Sequence, residues 1–177
     1  LTRPVTPAID KRDGYRARVD AAVHDFGVNG YGWTAQQVLK AKRVCYRTIF
    51  AETNFRNLAN PSVPESLLVI PNDGIGTDLN STGLYQQRAQ FWGSVVGSMD
   101  PYTATMRFLK AMVHDVPAWF TTTESTVCQL VQRSQFDSIT IDLRTGKPFP
   151  FAQNYIDREP QTNALALDEL YFQHGGA

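Results

Sequence analysis

Residues 34–55, "TAQQVLKAKRVCYRTIFAETNF", carry the clearest local signals in the chain. Thr34 followed three residues later by Gln37 is a capping-box pattern, in which the two side chains satisfy backbone N–H groups that a helix start leaves without partners. The spacing predicts a helix from about 35 to 55. At 100° per residue, Val38, Ala41, Cys45 and Thr48 share one stripe. Glu52 continues that stripe, within about 20° of Ala41 and Cys45 and about 40° of Val38 and Thr48. A carboxylate therefore stands on the face assigned to the core, beside Ile49, Phe50 and Phe55, at the end of the helix.

The flanking segments extend this helical pattern. Upstream, Ile9, Tyr15, Val19, Ala22, Val23 and Phe26 recur at helix spacing over residues 8–26, and the glycines of "FGVNGYGW" then predict a loop. Downstream, residues 56–80 contain Pro61, Pro64 and Pro71 with Gly74 and Gly76, an irregular stretch in which "SLLVI" is expected to form at most a short strand. "GLYQQRAQFWGSVV" reads as a helix broken near Gly93. Asp100 before Pro101 is a helix-opening pair, with Tyr102, Met106, Leu109 and Val113 on one stripe behind it. A second capping box, Thr121 to Glu124, is expected to open "ESTVCQLVQRSQF". "SITIDLRTGKPFPF" contains a strand-like alternation, and the remainder reads as a tail. The expected fold is mainly α, four or five helices around one core, with a loop-rich middle and a short β element.

Composition narrows the function classes. The 177 residues suit one compact domain, and 42% hydrophobic against 19% charged residues allows a real core. Seventeen basic and seventeen acidic residues cancel, which argues against a basic footprint for nucleic acid and against a polybasic membrane patch. A neutral partner such as a carbohydrate is compatible. Cys45 and Cys128 lie in apolar helical surroundings and read as buried small hydrophobes, with a single bridge between them as the alternative. Neither zinc spacing nor a nucleophile–histidine pattern accompanies His24, His114 and His174, and no metal or cofactor is expected. No apolar run approaches the ~18 residues of a membrane span. The opening "LTRPVTPAID" has no signal-peptide core, and a start on Leu reads as a piece cut from a longer chain.

Glu52 on an apolar stripe has two readings. An acid there can be satisfied by a buried arginine or by backbone amides, or left in water by a frayed helix end, or it can serve as a general acid. An ordinary Glu, with a pKa of about 4.3, is only roughly 0.2% protonated at neutral pH. Desolvation that raised it to about 6.5 would leave roughly a quarter protonated, enough to donate to a leaving oxygen. The catalytic Glu of lysozyme is a worked case of such tuning.

"AETNFRN" at 51–57 together with "NDGIGTDLNSTGLYQQR" at 72–88 resembles the lysozyme-like superfamily of goose-type lysozymes and lytic transglycosylases. In that family a helix carries the catalytic Glu, a polar glycine-rich loop follows, and then a segment of the form S/N-x-x-G-L-x-Q. The nearest flavour is the actinobacterial and phage one, with E-S-x-x-x-N-L followed by S-x-G-L-F-Q-Q-R; here the segments read "ETNFRNL" and "STGLYQQR". "DPYTATMRFLKAM" and "LVQRSQF" are similar to the family's later helices, in the same order. The resemblance spans residues 45–136. Thr53 stands where Ser is usual, the segment between Glu52 and Ser81 is long, and Asn80 occupies a place where an Asp is common.

The resemblance implies a lysozyme-like catalytic domain over 1–140, with a C-terminal extension over 141–177 that packs on it or leads to another module. It implies cleavage of the β-1,4 bond between MurNAc and GlcNAc in peptidoglycan glycan strands, in a phage endolysin acting on the bacterial cell wall. Glu52 would be the acid. In a lytic transglycosylase the same Glu then takes the proton from the sugar's C6 hydroxyl, leaving a 1,6-anhydro end. A muramidase would instead need Asp78 or Asp73 to assist water. Ser81, Asn80 and Gln86 are expected to bind the sugar's polar groups, with Gln86 one helical turn beyond Gly83. Tyr85 and Tyr102 are candidate stacking platforms, with core packing as the alternative. Asp78 and Ser81 also have plain structural readings, as a turn cap and a helix N-cap. A catalytically silent wall-binding module and a phage structural domain are the rival classes.

Overall fold

In the computed structural model the backbone is described for residues 11–173 and side chains for 12–166; Ile9 and His174 lie outside the described residues. The chain is mainly helical, with two small antiparallel hairpins. Helix α1 (Lys11–His24) runs directly into a π-helical segment, Asp25–Tyr31, and then α2 (Ala35–Thr53). After the short α3 (Pro64–Leu67) comes the first hairpin, β1 (Ser81–Thr82) with β2 (Gln87–Arg88), followed by α4 (Ala89–Trp92) and α5 (Val95–Met99). Then come α6 (Pro101–Asp115), α7 (Glu124–Gln132), the second hairpin β3 (Ile141–Asp142) with β4 (Lys147–Pro148), α8 (Gln153–Ile156) and α9 (Glu159–Gln173).

Helix α2 is the axis of the fold, in contact with α1, α6, α7, α8 and α9. Its start follows the expected capping box: the Thr34 hydroxyl accepts from the Gln37 N–H (3.3 Å) and the Gln37 carboxamide accepts from the Thr34 N–H (2.9 Å). Ala41, Cys45, Thr48 and Ile49 are fully buried against Val19 and Val23 of α1, Phe108 and Met112 of α6, and Val127 and Cys128 of α7. Side chains such as Ile49 and Phe108 each contribute roughly 1.5–3 kcal/mol by leaving water. Both cysteines are buried free thiols. The helix stops where Asn54 and Phe55 turn left-handed (φ 52° and 61°), which ends the i to i−4 ladder just past Glu52.

Four local expectations are corrected. The glycine-rich "FGVNGYGW" continues as π-helix over Asp25–Tyr31 instead of forming an open loop, because Gly27 lets Trp33 pack where a Cβ would stand 2.2 Å from its ring. "SLLVI" forms no strand: Ser66 and Leu67 close α3, and the Ser66 hydroxyl donates to the carbonyls of Val63 (2.7 Å) and Asn60 (3.1 Å). The N-cap of α7 is Thr123, not Thr121. Thr121 belongs to a turn on the Ala118 carbonyl, and Glu124 is drawn into ion pairs with Arg43 (2.6 Å) and Arg47 (2.8 Å). On α6 the buried face is Ala104, Thr105, Phe108, Leu109 and Met112, rotated from the expected stripe because the helix packs between α1, α5 and α7.

The fifth correction matters most for function. "STGLYQQR" is a β-hairpin, with Ser81 paired to Arg88 and Thr82 to Gln87, and the helix begins only at Ala89. The turn needs positive φ at Gly83 (78°) and Gln86 (50°), a geometry no helix start provides. Ser81 is therefore not an N-cap, and Gln86 does not lie one helical turn beyond Gly83.

Candidate active site

Glu52 occupies the penultimate position of α2 and keeps only part of its side chain in contact with solvent. The Tyr155 hydroxyl of α8 donates to Glu52 Oε1 at 2.9 Å. Burial pushes the Glu52 carboxyl up to about 7; the charge of Asp78 adds to the rise, while hydrogen bonds from Tyr155 and Gln132 oppose it. At such a value about half the molecules hold a proton at neutral pH. Tyr155 is itself fully buried, and burial and the neighbouring Glu52 charge keep its phenol well above the ordinary range. It can therefore serve Glu52 only as a donor, favouring the carboxylate.

The wall facing Glu52 is built from the first hairpin and tied to three elements. The Thr53 hydroxyl donates to the Leu84 carbonyl at 3.0 Å, with the Ile49 carbonyl at 3.2 Å. Gly83 N–H donates to the Leu58 carbonyl at 2.8 Å, and Gln132 Nε2 donates to the Tyr85 carbonyl at 2.8 Å. Gln132 also holds the Glu52 pKa down against burial, so the carboxamide that ties the turn is a neighbour of the acid as well. Thr53→Val keeps the shape but removes the hydroxyl and leaves the Leu84 carbonyl without its donor. A loss of about 1–2 kcal/mol is expected, read from urea unfolding.

Residues 56–80 are irregular yet ordered by two buried asparagines. Asn57 Nδ2 reaches the carbonyls of Pro71 (3.0 Å) and Met99 (2.9 Å); Asn60 Nδ2 reaches those of Leu79 and Ser81 (both 3.1 Å). These side chains satisfy backbone groups that a sheet would otherwise pair. They also fix Asp78, whose charge is felt at Glu52 and whose carboxylate lies 3.8 Å from Arg88. Asp73, the other candidate acid, accepts from the Asn57 N–H at 2.9 Å and faces the Tyr15 phenol of α1, whose pKa burial raises and the Asp73 charge helps to raise.

The remaining expected site residues divide. Ser81 is buried; its N–H donates to the Asp78 carbonyl (3.0 Å), and its hydroxyl lies 3.4 Å from both Asp78 Oδ2 and Arg88 Nε. It braces the wall. Gln86 donates to the Gly83 carbonyl at 3.1 Å and remains partly accessible. Asn80, also partly accessible, donates to Gln90 Oε1 at 3.2 Å. Tyr85 has no exposed face: it stacks on Phe108 (centroids 5.0 Å) and bonds Thr105 at 2.9 Å, so it is a core residue and not a sugar platform. Tyr102 turns toward α1, with its hydroxyl on Asp25 (2.8 Å) and Arg18 over its ring.

Sequence reasoning missed Tyr155 and Gln132. Gln132 lies inside the "LVQRSQF" stretch, whose pattern and resemblance signal a helix and no site residue, whereas Tyr155 lies 103 residues from Glu52 with no local pattern to mark it. Tyr155→Phe removes a donor that favours the carboxylate, so the Glu52 pKa is expected to rise further. In any activity that needs the protonated acid, the alkaline limb of the pH profile moves to higher pH, measured as initial rate against pH.

Two surface clefts of about 470 and 330 Å³ lie elsewhere, one along Arg43, Arg47 and Glu124 and one along Gln129, Arg133 and Asp137, and Glu52 lines neither. Their charged groups are already engaged with one another, as in the Arg43–Glu124–Arg47 set, so the poised acid marks the site better than cavity size does. Among the described residues no group of three or more His, Cys, Asp or Glu could hold a metal ion, and no helix is long and apolar enough to cross a membrane. Comparison with known proteins gives no match, either to a family model or to a curated protein sequence.

Proposed function

We propose that the chain is a peptidoglycan-cleaving domain in which Glu52 acts first as acid and then as base. The observation that carries this reading is a single partly buried carboxyl, raised to about 7 at a helix end and held by Tyr155 opposite the first hairpin. A protonated Glu52 donates to the glycosidic oxygen between MurNAc and GlcNAc as the bond to C1 breaks. The resulting carboxylate, steadied by the Tyr155 and Gln132 donors, takes the proton from the C6 hydroxyl as that oxygen closes on C1. The product is a 1,6-anhydro end, no water is consumed, and Glu52 recovers its proton. A pKa near operating pH suits a group that must give and then accept a proton.

Asp78 supports a second reading, muramidase hydrolysis, because it is the acid whose charge reaches Glu52. Asp73 does not share that position. The resemblance of the sequence supports the wall as the place of action, and a phage endolysin with further modules as the setting. The test is release of soluble muropeptides from purified peptidoglycan by the wild-type chain and by Glu52→Gln.

A further inference from the structure

The π-helical turn between α1 and α2 displays an aromatic strip at the end of the molecule opposite Glu52. Tyr31 is 59% exposed yet fixed, stacked on Phe26 with centroids 4.9 Å apart and 25° between planes. Beyond it, contacts pass through Trp33 (6.1 Å) and Trp119 (4.8 Å) to Phe120, which is 39% exposed. The strip is edged by hydrogen-bonding groups: Asp25, whose carboxylate accepts from Asn29 (3.1 Å) and from Tyr102 (2.8 Å), is itself exposed, as is Asn29. A seven-residue π segment is rare, and such segments concentrate at functional sites. Helix α2 separates this patch from Glu52, and its 19 residues span about 28 Å at 1.5 Å per residue.

We infer that this patch is a second, non-catalytic glycan-binding site, an inference that rests on the reading of the substrate as a glycan strand. A pyranose presents an apolar C–H face and a rim of hydroxyls. Tyr31 offers a ring already ordered before binding, so little conformational freedom is lost on contact. Asp25 and Asn29 offer acceptors and donors for the hydroxyl rim. The cations beside the strip are each already engaged: His24 lies 3.7 Å from Asp25, Lys40 bonds the Phe120 and Thr122 carbonyls (2.7 and 2.6 Å), and Arg18 pairs with Asp100 (3.3 Å). That leaves no basic track for nucleic acid or anionic lipid among the described residues. The Asp25 acid and the Asn29 amide make a poor seat for a purely apolar partner. A polymer held about 28 Å from the acid would stay attached to the chain between cleavage events.

The probes are insoluble peptidoglycan, read by co-sedimentation, and a soluble GlcNAc hexamer, read by tryptophan emission from Trp33. Tyr31→Ala is expected to weaken both by about fivefold, Tyr31→Trp to retain them, and Phe91→Ala, a 73% exposed ring on α4, to leave them unchanged. Wild-type binding by Tyr31→Ala, or an equal loss in Phe91→Ala, would overturn the inference. Tyr31-dependent binding in a wild-type chain that releases no muropeptides would uphold this site while refuting the catalytic reading. Catalysis by a Tyr31→Ala chain that binds as wild type would do the reverse.

Discussion

Glu52→Gln is expected to lower muropeptide release by about a thousandfold while leaving the fold intact, since general acid–base groups contribute roughly 10²–10⁴. Gln matches the protonated acid in shape but has no proton to give. A second signature accompanies the loss. The folded pKa of Glu52, about 7, lies above its ordinary 4.5, so between those values the folded protein keeps a proton that the unfolded chain releases. The stability contributed by this group is complete below about pH 4.5, declines as pH rises to about 7 and stays low above it. The swing is on the order of 3 kcal/mol at most, because part of the side chain reaches solvent. Glu52→Gln removes that dependence. Its melting temperature relative to wild type should therefore climb between pH 4.5 and 8, by several degrees for a chain of this size. A flat difference across that range would show that Glu52 is not perturbed.

Gly83→Ala is expected to be the most damaging single-methyl change in the first hairpin. Gly83 sits at φ 78°, and a Cβ there would stand 1.9 Å from the Ser98 carbonyl oxygen. Both the backbone conformation and the space exclude a side chain. The neighbour is backbone, fixed by α5, so it cannot rotate aside. Relief requires the hairpin to leave α5, which breaks the Gly83–Leu58 hydrogen bond and the Thr53 and Gln132 ties to the same turn. A destabilisation above about 3 kcal/mol is expected, with muropeptide release lost in whatever fraction still folds. Urea unfolding and far-ultraviolet circular dichroism measure the first, and the wall-release assay the second.

What could be read from the sequence was what local chemistry fixes. The capping box placed the start of α2, helical periodicity placed Glu52 on the buried face, and the Asp100–Pro101 pair opened α6, with Asp100 accepting from the Thr103 N–H at 2.9 Å. The first hairpin was not readable because its strands are two residues long, too short for alternation to show. "GLYQQR" also lacks the Asn-Gly or Asp-Gly signal of a tight turn. Tyr85 stays open between stacking platform and core packing in the sequence, because spacing alone does not say which face an aromatic presents; stacking on Phe108 decides for the core. The Tyr155 contact depends on α8 packing against α2 and α7, a tertiary event with no short-range trace. The acid itself could thus be singled out in advance, while the groups that tune it had to await the fold.

Mass spectrometry of the fragments released from purified peptidoglycan by the wild-type chain tests the proposed chemistry most directly. Glycan ends carrying 1,6-anhydro-MurNAc, each lighter by one water than a hydrolysed end and absent from Glu52→Gln digests, are the expected result. Reducing ends alone would assign the reaction to hydrolysis assisted by Asp78, and no released fragments at all would contradict an active site at Glu52.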